Sequence, residues 1–102
     1  MKKQDLTLQL QKSDEYKDWV HYDISKKNYK VIDIIILDYL KSVTEILGTV
    51  LVILQNKTTK TFKVFRFFNY IKPTKWKVSV DFENITKEEL NKHYSINIYT
   101  GE

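Results

Sequence analysis

The sequence predicts a single α+β domain over residues 1–102. The expected architecture is a mainly antiparallel, twisted sheet of five to six strands in the order ββαβββαβ, with one long helix packed on one face and one short helix. Three observations carry this expectation. Residues 28–47 separate apolar from polar side chains at helical spacing, several other segments alternate with period two, and a helix-start signature stands near the C-terminus.

The long helix is read from NYKVIDIIILDYLKSVTEIL. At about 100° per residue, Tyr29, Val31, Ile32, Ile35, Ile36, Tyr39, Leu40, Val43, Ile46 and Leu47 fall within one arc of roughly 180°. Strict alternation instead puts Asp33 and Asp38 on opposite faces, which disfavours a strand. The β-branched residues between Val31 and Ile36 pull the other way. Gly48 follows where a helix C-terminus favours glycine. Ile34 and Leu37 lie on the polar side of this wheel, one turn apart, as a small apolar spot.

The other elements follow in chain order. Leu6, Leu8 and Leu10 alternate with polar residues over 5–11, and Val20, Tyr22 and Ile24 alternate over 16–24, which together read as an N-terminal hairpin. Residues 49–55 are apolar on both faces and suit a central, doubly covered strand. Residues 61–71 return as a long strand ended by Pro73, and 75–82 alternate again with Trp76, Val78, Val80 and Phe82 inward. Thr86 and Glu89 form a capping box, with Ile85 and Leu90 placed as its hydrophobic staple. Residues 94–99 close the chain as an alternating strand.

Composition narrows the chemistry. The chain has no cysteine, which removes disulfides, thiolate catalysis and zinc–cysteine sites together. No secretory signal appears, and the longest uncharged apolar run, residues 46–54, is about half a membrane span, so a cytoplasmic protein of the host cell with no membrane role is expected. Alanine is absent and there is one arginine, one proline and two glycines against abundant Lys, Asn, Ile and Tyr. GC-rich codons are thus avoided, which points to a low-GC bacterium or to a phage or plasmid that infects one. The net charge of +4 follows from the same lysine-rich coding and permits nucleic-acid binding without demanding it.

No constellation for enzymatic chemistry stands out, and no motif ties the chain to a known family. His21 and His93 lack a nucleophile or carboxylate arrangement around them, and Asp81 with Glu83 is an acidic pair at a spacing common in charged strands. Two glycines cannot build a phosphate-cradling loop. No cofactor and no metal is expected.

The surface expected to act is residues 61–78, where aromatics interleave with cations. Lys63, Phe65, Phe67 and Asn69 share one strand face; Phe62, Val64, Arg66, Phe68 and Tyr70 share the other. With Phe65 and Phe67 exposed beside Lys75 and Lys77, this face presents apolar anchors with a charged rim to a protein, or stacks bases and tracks phosphates. Arg66 either pairs with a buried carboxylate or anchors a partner. The partner-binding set is therefore Ile34, Leu37, Lys63, Phe65, Arg66, Phe67, Lys75 and Lys77. The function expected is a small non-enzymatic binding protein, from a phage or mobile element, that inhibits a host protein or nucleoprotein as a monomer or homodimer. Its concrete form would be anti-CRISPR or another anti-defence role. Single-stranded DNA or RNA binding is the alternative, and a basic ribonuclease toxin a third.

Overall fold

The computed structural model describes residues 3–41, 46–72 and 74–94. Its N-terminal quarter is helical, which overturns the expected hairpin. Helix α1 spans Lys3–Gln11, and a continuous helical segment then runs through α2 (Asp14–Tyr16), a π-helical turn (Lys17–His21) and α3 (Tyr22–Lys26). Leucines at 6, 8 and 10 satisfy alternation, but Leu6 and Leu10 are also one helical turn apart. Those two are buried while Leu8 is exposed. In the next segment Tyr16, Val20 and Asp23 point inward at spacings of four and three, leaving Tyr22 and Ile24 outside. Asp23 hid this pattern because its burial depends on a distant lysine. Ser13 starts α2, its hydroxyl oxygen accepting the Tyr16 amide at 3.1 Å.

The expected long helix is instead β1 (Tyr29–Lys41), paired antiparallel with β2 (Ile46–Asn56). Two register shifts, between Val31 and Asp33 and between Ile36 and Asp38, insert an extra residue each time. Consequently Val31, Ile34, Ile36 and Tyr39 pack into the core beneath the helices, at steps of three, two and three. That sequence of steps imitates a helical face. The same bulges put Asp33 and Asp38, opposite Ile53 and Thr49, on one side of the sheet, so alternation does not separate them after all. β2 explains why the strand wins. It is apolar on both faces and buried from Ile46 to Gln55 except at half-buried Leu47, so its backbone needs ladder partners on both edges. Gly48, expected to end a helix, lies within β2; a Cβ there would meet the Asp38 carbonyl oxygen and the Leu6 side chain at 2.5 Å each.

β3 (Phe62–Lys72) and β4 (Lys75–Ile85) complete a four-stranded antiparallel sheet in the order β1-β2-β3-β4. The count of five to six strands and the order ββαβββαβ are thereby corrected: among the described residues three helices precede four sequential strands and one helix follows. The expected strand over residues 94–99 falls almost entirely outside the described residues; Tyr94 itself is the last residue of a helix. That helix, α4 (Lys87–Tyr94), begins where the capping box places it. The Glu89 amide donates to the Thr86 hydroxyl at 3.2 Å and the Thr86 amide to the Glu89 carboxylate at 3.1 Å.

The sheet has two cores. On one face, α1 to α3 bring Leu6, Leu10, Tyr16 and Val20 onto Val50, Val52, Leu54, Phe65, Phe67 and Trp76. On the other, α4 brings Leu90 onto Leu51, Ile53, Phe62, Val64 and Ile85. A helix of 8 residues is too short to cover that second face from end to end.

Candidate functional site

The predicted binding set does not assemble on one surface. Phe65 and Phe67 are 0% exposed, because the N-terminal helical segment lies over them. Trp19 meets the Phe65 ring edge-on at 6.1 Å and Tyr16 lies 6.2 Å from the Phe67 ring. Lys63 is buried with them, and Ile34 is half-buried against the same core. Leu37 is the extra residue of the second β1 bulge and is exposed, as are Lys75 and Lys77. The open aromatic–lysine face expected on β3 does not form, because the N-terminal helices cover the side of the strand that carries Phe65 and Phe67.

Lys63 and Arg66 of β3 serve structure. Lys63 Nζ donates to Asp23 Oδ2 at 2.7 Å and lies 3.1 Å from Glu83 Oε2, over the rings of Tyr29 and Phe65. Burial opposes its charge, but the two carboxylates outweigh that and hold its pKa above the ordinary lysine value. Arg66 Nε donates to Asp81 Oδ2 at 2.8 Å, and the Tyr94 hydroxyl donates to the same oxygen at 3.1 Å. Burial, with Asp81 beside it, pushes the Tyr94 phenol well up. Of the alternatives for Arg66, the structure has the carboxylate pairing. Asp81 and Glu83 thus face different cations and form no acidic pair. His21 packs edge-on against Tyr16 at 5.4 Å and His93 stacks on Phe82 at 4.2 Å. No cluster of three metal-ligating side chains occurs among the described residues.

Two surfaces remain open. The first is the end of the sheet that α4 leaves bare. Register aligns Asp38, Thr49, Phe68 and Lys77 in a row across all four strands. Leu40 and Leu47 pair in the next row on the same face, and Tyr70 follows Phe68 there. Leu40 is 59% and Tyr70 45% exposed, with Leu47 and Phe68 half-buried between them. The Tyr70 hydroxyl reaches across β2 to donate to the Asp38 carboxylate, which holds the phenol above its usual range. The second is a pocket of about 410 Å³ between the π-helical turn and β3, lined by Asp18, Trp19, Tyr22, Asp23, Lys27 and Lys63.

Sequence reasoning missed both. Leu40 falls on the apolar arc of the expected helix, and Tyr22 on the inward face of the expected strand over 16–24. The available signal was the helical spacing, four then three, of Tyr16, Val20 and Asp23, which leaves Asp18, Trp19 and Tyr22 facing outward.

No family model, no curated protein and no solved structure matches this chain. Among the described residues no helix is long and apolar enough to cross a membrane.

Proposed function

We propose that the protein is a small non-enzymatic binding module that acts by occupying a surface of a host protein or nucleoprotein. Its codon-driven composition supports a phage or other mobile element of a low-GC host as the source, with anti-CRISPR or another anti-defence role as the concrete form. The observation that carries the binding reading is the bare end of the second sheet face. Leu40, Leu47, Phe68 and Tyr70 form an apolar centre there, rimmed by Asp38, Lys75 and Lys77. An apolar centre inside a charged rim is the composition of a protein–protein contact, where a few large side chains supply most of the affinity and the rim excludes water. Leu37, beside Asp38 at the β1 bulge, extends the same edge.

Single-stranded nucleic-acid binding loses its stacking platform, since it needed Phe65 and Phe67 on the surface and both are in the core.

The test is affinity capture from the lysate of a low-GC bacterial host, with and without nuclease, comparing wild type with Leu40→Ser/Tyr70→Ser. The expected result is a nuclease-resistant protein partner retained by wild type and lost by the double variant, with both chains unfolding at nearly the same denaturant midpoint. Equal capture by the variant, or recovery of nucleic acid alone that nuclease removes, overturns the proposal.

A further inference from the structure

The pocket beside the π-helical turn has no part in the sheet surface just described. Trp19 and Tyr22 are 46% and 52% exposed there. Helix and sheet packing therefore leave two aromatic faces open at one mouth. The π-helical turn Lys17–His21 that carries Trp19 interrupts the α-helix on either side of it, and such turns are frequent at functional sites.

The charge around the pocket selects the ligand. At the floor, the Lys63 ammonium is shared by the Asp23 and Glu83 carboxylates, so these three groups carry a net charge of −1. At the mouth, Lys27 lies over the Tyr22 ring at 5.8 Å, and Asp18 is exposed with no partner among the described residues. The four charged lining residues, Asp18, Asp23, Lys27 and Lys63, sum to zero, and Glu83, bound to Lys63 from outside the lining, brings the surround to −1. An anion has no unengaged cation to meet at the floor. A cation meets aromatic faces and a free carboxylate, and Lys27 already demonstrates that a cation settles on the Tyr22 face.

We infer that this pocket takes the guanidinium of an arginine side chain presented by a protein partner. The planar group stacks on Trp19 and Tyr22 while its N–H fork donates to the Asp18 carboxylate; a lysine ammonium would match the charge but not the stacking or the two-point contact. Lys27 is displaced from Tyr22 as the guanidinium enters. The inference rests on the reading of the protein as a protein-binding module, and it adds the chemistry of one recognised side chain.

A probe that needs no partner separates the two claims. Titrating the full chain with N-acetyl-arginine methylamide, and following its ¹H–¹⁵N spectrum, is expected to give a saturable shift at the Trp19 indole N–H and the Tyr22 amide. N-acetyl-norleucine methylamide and inorganic phosphate should leave these signals in place. Asp18→Asn should weaken the arginine probe by about threefold or more, and added salt should weaken it further. Asp18 is exposed, so this variant tests recognition without disturbing the core; Trp19→Leu should abolish the response. Absence of a saturable shift overturns the inference, as does an equal response to the norleucine analogue or a response to phosphate. Saturable arginine binding that is lost in Asp18→Asn upholds the pocket chemistry even if the capture experiment finds no partner. A partner captured through the sheet face, with no arginine response, would remove the pocket and leave the function proposal standing.

Discussion

Lys63 shows how far one residue's role depends on what is packed over it. On β3 it is a surface-type cation in a chain rich in lysine; in the fold it is 4% exposed and held by Asp23 and Glu83. A buried charge is tolerated because it is paired, and the pair is more costly to break than to replace. Lys63→Met should therefore destabilise the protein by about 3–5 kcal/mol, since it leaves Asp23 buried and uncompensated. The double variant Lys63→Met/Asp23→Leu should recover most of that loss. Urea unfolding of the cycle checks both, and a single variant as stable as wild type would show that Asp23 is solvated. The raised pKa of Lys63 fixes the pH window: the pair's contribution is complete below the ordinary value of 10.5 and is lost as pH rises through the higher folded value.

At the scale of elements, the strongest local signals act locally and the weaker ones were overruled. The capping box of α4 uses contacts within four residues, so nothing distant can cancel it. Thr86→Ala should cost about 0.5–2 kcal/mol by removing the acceptor of the Glu89 amide. Glu89 is held below its ordinary pKa of 4.5, chiefly by the Thr86 amide that donates to its carboxylate and then by the Thr86 side chain. That stabilisation is present above 4.5 and fades as pH falls through the lower folded value; Thr86→Ala keeps the amide that chiefly lowers this pKa, so it should flatten the acid limb of the stability profile only in part. Unfolding midpoints of both proteins between neutral and acid pH measure it. β1 is the opposite case. Its two bulges shift the inward positions to steps of three, two and three, and a strand read by spacing alone then looks helical.

For the whole molecule, the consequence is a sheet covered unevenly: three helices over one face and one short helix over an end of the other. The N-terminal helices convert Phe65 and Phe67 from a candidate binding face into core. Phe67→Ala should accordingly destabilise the protein by about 3–5 kcal/mol, the cost of a large buried cavity, in place of weakening a surface contact. A calorimetric or denaturant midpoint equal to that of wild type would return Phe67 to the surface. The same arrangement places the open apolar side chains at Leu40 and Tyr70, and at Trp19 and Tyr22, positions that are assigned to surfaces only after every helix is docked.

What the chain determines by itself is what short-range physics can decide. Residues 49–55 are apolar on both faces and became a central strand; residues 61–71 became its neighbour and 75–82 the edge strand beyond; Thr86 and Glu89 started their helix. Tertiary structure decided the rest. Leu6 and Leu10 suit either period, and helix won where α1 could lie across the sheet. Residues 29–41 suit either as well, and strand won because β2, buried on both faces, needed backbone partners on its second edge. Asp23 could be inward only because Lys63, 40 residues away, meets it there. A spacing pattern records which side chains turn inward. It does not record which backbone hydrogen bonds must be closed elsewhere, and at residues 29–41 that requirement chose the fold.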